Sequence, residues 1–164
     1  MKNVFRILLA LALGAFGVWL WLALFPSPEK IITKRFGELA KAASIHAGEG
    51  YLPRLAGVQR VGGYFAASVV INIDIPGHQE HSTLSRDDLM QMVMAAQVTG
   101  GLTVKFSDLI VSVSADKENA QAEMTVEARP PGDPDPVVQQ MKFTLQKTDG
   151  KWLITRVQTV RTFS

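Results

Sequence analysis

From Ile7 to Phe25 the chain reads ILLALALGAFGVWLWLALF, nineteen residues without a charge. As a helix rising ~1.5 Å per residue this run is about 28 Å long, close to the ~30 Å hydrocarbon thickness of a bilayer. A helix satisfies its own backbone hydrogen bonds, so it needs no protein partner in lipid. The expected division is therefore residues 1–25 as tail and transmembrane anchor and residues 26–164 as a water-exposed domain. A cleaved signal peptide is the alternative. Lys2 and Arg6 supply its basic start, but the run exceeds the usual ~7–15 apolar residues and its C-terminal edge, Leu22-Ala23-Leu24-Phe25 before Pro26, lacks a convincing Ala-x-Ala. A buried core helix is disfavoured, because Trp19, Trp21 and Phe25 crowd one end as an interfacial aromatic belt does.

Lys2, Arg6 and the amino terminus favour a cytoplasmic start, while Lys30, Lys34, Arg35 and Lys41 follow the run closely and weaken that signal. The expected location is the bacterial inner membrane, crossed once, with the domain in the periplasm and lipid as the partner of the N-terminal helix. The chain has no cysteine. That fits an oxidising compartment and excludes disulfides, thiolate metal sites and a cysteine nucleophile.

Residues 26–164 number 139, the size of one domain with one core. They carry 15 acidic and 15 basic side chains, so the overall +2 comes from Lys2 and Arg6. A neutral domain is a poor nucleic-acid binder, and no nucleic-acid partner is expected. Residues 26–64 hold six basic and three acidic side chains, which reads as a solvated helix face rather than a headgroup-binding cluster.

Ser27 and Pro28 open a helix, Ile32, Phe36, Leu39 and Ala43 give it an apolar stripe over 28–45, and Gly48 and Gly50 end it. A short second helix is expected over Tyr51–Val58, before Gly62-Gly63. Tyr64–Ile75 predicts a half-buried strand, with Val69, Ile71, Ile73 and Ile75 on one face and Val70, Asn72 and Asp74 on the other. After Pro76-Gly77 a polar loop is expected over His78–His81. Ser85 caps a third helix with Asp88 three residues on and Leu84 and Leu89 as a staple; Leu89, Met92, Val93 and Ala96 form its stripe. Four strands are expected at 102–114, 119–129, 137–147 and 151–162, with a bulge near Ser107-Asp108 and a turn at Asp149-Gly150. Pro130, Pro131, Pro134 and Pro136 mark a stiff loop.

This order, together with Ser85-Arg86-Asp87-Asp88-Leu89, Ala120-Gln121-Ala122 and the hairpin Phe143–Ile154 with its x-Asp-Gly-x-Trp-x-Ile pattern, resembles the nuclear-transport-factor-2-like (SnoaL-like, cystatin-like) superfamily. The resemblance covers residues 28–163. It implies an α+β fold: behind the transmembrane helix, three helices packed on a curved, mostly antiparallel sheet that wraps into a cone. It is nearly silent on activity, because this fold carries isomerases, cyclases, dehydratases, transport factors and scaffolds alike. Members with one membrane helix exist, among them the inner-membrane scaffold component of type IV secretion systems.

Asp74, His78, Glu80 and His81 are the densest titratable group, and a carboxylate beside imidazoles suits acid–base chemistry or a metal. His-x-x-His in a loop is a weak metal pattern, so His78 and His81 are minor metal candidates and an exposed polar loop is the simpler reading. The resemblance implies that an enzyme of this fold would hold an Asp or His–Asp inside the cone with a Tyr hydroxyl opposite, roles to which Asp74, His81 and Tyr64 could be offered. Tyr64, Phe65, Met90 and Met94 are the expected lining of an adaptable apolar pocket, although methionine on a core helix is more often filler. Arg129, Arg156 and Arg161 read as solvent-facing, and His46 as matched to a helix C-terminus. No nucleophile elbow, Walker loop or dinucleotide glycine pattern is present and no cofactor is expected. The functional expectation is a membrane-anchored, non-catalytic binding or scaffold module that engages an envelope protein, a second copy or an apolar ligand. An isomerase or cyclase acting on an apolar substrate is the alternative. Gln139, Gln140, Lys142, Thr144 and Gln146 are the expected docking surface.

Overall fold

The computed structural model describes residues 14, 16, 17, 26–44, 50–75, 78–98, 102–129 and 135–160. Among these no helix is long and apolar enough to cross a membrane. The expected anchor and its belt, Trp19, Trp21 and Phe25, lie outside the described residues, apart from Gly14, Phe16 and Gly17, which are helical.

Helix α1 spans Pro28–Ala43. Ser27 caps it by accepting from the Lys30 amide at 3.5 Å, and Pro28 sits in the first turn, where no amide hydrogen is needed. Its buried stripe is Ile32, Phe36, Leu39 and Ala42. At its C-terminus the Ser44 hydroxyl donates to Ala40 O at 2.8 Å and accepts from the Val104 amide at 3.0 Å, tying the helix end to the sheet. Helix α2, Tyr51–Gly62, runs four residues beyond the expected Val58, because Val58 and Val61 continue the buried side.

Strands β1 (Phe65–Ile75) and β2 (His78–Ser85) form an antiparallel hairpin, with helix α3 (Arg86–Val98) directly after it. The segment expected as a polar loop, His78–His81, is therefore the first half of β2. The strand was concealed because its positions opposite the inward-facing Ile73, Ile71 and Val69 are Glu80, Ser82 and Leu84, so it carries no alternation of large apolar residues. The expected cap of α3 is present: the Asp88 amide donates to Ser85 Oγ at 3.1 Å while Asp88 Oδ2 accepts from the Ser85 amide at 3.2 Å.

Strands β3 (Thr103–Val113), β4 (Asn119–Arg129), β5 (Val137–Thr148) and β6 (Lys151–Thr159) complete a six-stranded sheet in the order β2-β1-β6-β5-β4-β3. All neighbours are antiparallel except β1 and β6, which are parallel. The register of β3 on β4 shifts between Ser107 and Ile110, where Asp108 adopts φ 54, a left-handed conformation that a short polar side chain tolerates. Asp149 (φ 50) and Gly150 (φ 75) make the tight turn from β5 to β6.

One face of this curved sheet is apolar. Val69, Ile71, Ala120, Ala122, Met124, Phe143, Leu145, Trp152, Ile154 and Val157 meet Ile32, Phe36, Leu39 and Val61 in one core. The alternate positions, on the opposite face, carry mostly polar and charged side chains, with Val70, Ile110 and Val138 among them. These features are the three-helix, mixed-sheet cone of the nuclear-transport-factor-2-like fold.

Candidate functional site

Two surfaces compete as the working part of such a cone: its interior and the back of its sheet. The described part of the interior is packed. Phe36 reaches from α1 to meet Phe143 edge-on with ring centroids 5.2 Å apart, and Phe106 at 6.0 Å; Phe106 and Phe143 lie 6.4 Å apart. Beside this cluster Arg35, Phe36, Leu39, Tyr64, Trp152 and Ile154 line a half-open pocket of about 10 Å³. That is the space of one water molecule.

Tyr64 stands at the rim of that pocket. The Arg35 guanidinium lies 4.9 Å from its ring centroid, and its hydroxyl donates to Glu38 Oε2 at 3.5 Å. Burial pushes the phenol pKa above its usual 10, and the Glu38 carboxylate adds to the shift. Phe65 is buried in the core. Met90 packs onto Gly62 of α2, close enough that a Cβ at Gly62 would fall 2.5 Å from its Sδ. Met94 is half-buried on α3.

Asp74 and His81 occupy different ground. Val69, Ile71 and Ile73 point inward, so Asn72 and Asp74 face the back of the sheet. Asp74 Oδ1 accepts from Gln79 Nε2 at 3.1 Å, and Thr159 Oγ1 bridges the Asp74 amide at 3.0 Å and its carbonyl at 3.3 Å. His81, cross-strand from Asn72, places Nδ1 3.3 Å from Asn72 Oδ1 and is exposed. The Ile154 amide donates to the Tyr64 carbonyl and Thr159 Oγ1 bonds Asp74, five residues along β6 and so roughly 16 Å at ~3.3 Å per residue; with Tyr64 on the core side of the sheet and Asp74 on its back, the two cannot act on one substrate group. His81, level with Asn72 and through it with Gln158 of β6, lies roughly 13 Å from Tyr64 along that strand by the same measure, and on the opposite face. Asp74 and His81 are thus neighbours on one hairpin, and Tyr64 is remote from both. The His78 side chain and His46 lie outside the described residues, as does Arg161. Among the described residues no three His, Asp or Glu side chains converge as metal ligands do.

The back of the sheet is open. Gln121, Glu123, Gln140, Gln146 and Arg156 are exposed there, with Thr125, Lys142, Thr144 and Gln158 half-buried between them. Lys142 Nζ lies 3.1 Å from Glu123 Oε1 across β4 and β5. Two hollows interrupt the face. One of about 150 Å³ lies among Asp108, Ile110, Glu123, Thr125 and Gln140; another of about 270 Å³ lies among Ser112, Asn119, Gln121 and Thr144. Sequence reasoning found the β5 half of this face through the polar alternation of Gln140, Lys142, Thr144 and Gln146; Gln139, expected with them, instead stands opposite Val126 on the core side of the sheet, half-buried. It missed Ile110, whose exposure on β3 depends on the bulge, and it missed Arg35 and Glu38, which reach Tyr64 only once α1 crosses the start of β1.

No protein-family model matches the sequence, and no curated protein matches it. Solved structures do. A nuclear-transport-factor-2-like protein of unknown function from Pseudomonas putida KT2440 is similar over 83% of this chain and 87% of its own, with 14% identity and a TM-score of 0.60. A protein of the same type with a cystatin-like fold from Novosphingobium aromaticivorans is similar over 88% and 86% of the two chains, with 10% identity and a TM-score of 0.58. A candidate scytalone dehydratase from N. aromaticivorans is similar over 82% and 83%, with 13% identity and a TM-score of 0.57. At these identities the likeness establishes the fold.

Proposed function

We propose that this protein is a non-catalytic binding module, held at a membrane by its apolar N-terminal run, that engages its partner through the open back of the sheet. The observation that carries this reading is the separation of Tyr64 from Asp74 and His81, which leaves the available acid–base groups on different ground. The aromatic cluster around Phe36 and the small pocket beside Tyr64 support it, because binding an apolar small molecule needs a cavity of ~300 Å³ or more. The polar, solvent-facing sheet surface is the better-formed feature. A photoreactive residue at Gln140 in the living cell tests the reading. It yields protein adducts, while the same residue at Thr33, on the exposed side of α1, yields none. Silence from position 140 would remove the reading.

The likeness to a candidate scytalone dehydratase favours a second reading, an isomerase or cyclase type of enzyme working on an apolar substrate. It requires Asp74→Asn to abolish turnover in a folded protein. It also requires the substrate to lie against the Asp74 and His81 hairpin or to open the interior around Tyr64.

A further inference from the structure

We infer that the outer edge of β2 is a docking site for an extended, cationic segment of another protein, which joins the sheet as a further strand. This goes beyond the binding reading above, because it concerns the backbone edge of the hairpin and not the back of the sheet. The orientation of the edge follows from β1. Thr159 Oγ1 bonds both the amide and the carbonyl of Asp74, so these groups turn towards β6 and away from β2. Asp74 and Gln79 are therefore a non-hydrogen-bonded pair of the antiparallel ladder, in which the backbone groups of both residues point outward. The register runs unbroken from Ile75–His78 to Ser68–Ser85, so the same orientation recurs at His81 and Thr83. Side chains approach most closely at such pairs, as the Gln79–Asp74 and His81–Asn72 contacts at 3.1 and 3.3 Å show. Gln79, His81 and Thr83 thus turn their amides and carbonyls to the edge, and among the described residues no strand pairs with them there. At the end of the row the Ser85 amide is taken by Asp88.

The sheet guards its other edge. On β3, Ser44 Oγ sits 3.0 Å from both the amide and the carbonyl oxygen of Val104, and the register breaks between Ser107 and Ile110 around the left-handed Asp108. Bulges, lysines, prolines and covering groups are the devices that keep an edge from pairing. Strand β2, HQEHSTLS, has no lysine, arginine or proline and no bulge over its eight residues. An open edge of that kind is what strand addition uses: main-chain bonds hold the incoming segment and its alternate side chains select it. Charge is the selector here. Asp74, Glu80, Asp87 and Asp88 lie on the hairpin and the first turn of α3. Across residues 74–88 the one arginine or lysine is Arg86, whose Nε is turned to the Phe65 carbonyl at 3.1 Å. A segment bearing lysine or arginine complements this acidic edge, and an acidic segment is repelled.

A fluorescent peptide as long as β2, alternating lysine and valine, tests this by anisotropy against the full-length protein in non-ionic detergent. The peptide binds saturably, and binding slows hydrogen exchange at the amides of Gln79, His81 and Thr83. Glutamate in place of its lysines weakens binding about tenfold or more. Thr83→Pro deletes one outward N–H and spares the β1 ladder, so it weakens binding about tenfold, while Thr83→Ala leaves binding unchanged. N-methylating the backbone amides of the peptide abolishes binding. Circular dichroism shows whether Thr83→Pro keeps its fold; should it not, the N-methylated peptide carries the test. Failure of the lysine peptide to bind by millimolar concentration, or binding that survives N-methylation, overturns the assignment. A dimer that already protects these amides and that Thr83→Pro dissolves overturns it as well, because the occupant is then a second copy. Each of these results leaves the back of the sheet to the separate cross-linking test at Gln140.

Discussion

Ser85 and Asp88 each satisfy an amide that the start of α3 would otherwise leave bare, and both halves of that exchange stand in the structure. Ser85→Ala removes one half and should cost about 1 kcal/mol, read as a lower urea midpoint with unchanged slope. Tyr64 gives a second residue-scale prediction. Its pKa is raised by burial and by Glu38, so the folded state holds the phenolic proton more tightly than the unfolded chain. Between the unfolded value near 10 and the higher folded value, folding stability therefore falls as pH rises. Absorbance titration should show a phenol ionising above pH 10 that is absent from Tyr64→Phe, and that variant should lose less stability across the same window. Asp116 runs the opposite way. The Ser114 hydroxyl and the backbone amide of Glu118 hold its carboxyl below the usual 3.8, so the support it gives the turn into β4 is lost as pH drops through the lowered value.

Packing between elements decides how firmly the interior is closed. Phe36→Ala deletes the ring that joins α1 to β3 and β5, and should cost about 3–5 kcal/mol by denaturant unfolding. Gly62→Ala tests the contact between α2 and α3, because the new Cβ meets Met90 Sδ. It should cost about 1–3 kcal/mol, and adding Met90→Ala should recover part of that if the clash is the cause. The elements that were legible beforehand are those whose signal is local. Ser27 and Pro28, the Ser85–Asp88 box, the Asp149-Gly150 turn and the alternation of Ala120, Ala122 and Met124 each announce themselves within a few residues. The bulge at Ser107-Asp108 was legible too, because the apolar phase changes across it. Strand β2 was not, since Glu80 and Ser82 fill two of its three inward positions and leave Leu84 as the only large apolar residue there. The α1 crossing that brings Arg35 to Tyr64 was hidden for another reason: it joins residues nearly thirty positions apart, and no local pattern encodes such a contact.

At the scale of the whole molecule, the curved sheet separates an apolar face, packed among the described residues against the helices, from a polar one. The candidate site was only partly readable for this reason. The sequence pattern put Asp74 on the polar face of β1 but could not show that His81 would join it there through β2, or that Tyr64 would end up far away with Arg35. It pointed to the β5 half of the docking face and left out Ile110, whose exposure follows from three-dimensional placement. The central claim is that the back of the sheet, rather than the cone's interior, meets the partner. A chain without cysteine permits a direct measurement: the rate at which a single Gln140→Cys thiol reacts with a membrane-permeant maleimide in intact cells, set against a Thr33→Cys thiol on α1. The account predicts that position 140 is protected at native abundance and becomes reactive in dilute detergent solution, while position 33 reacts freely in both. Equal, rapid labelling of the two positions in the cell would contradict it.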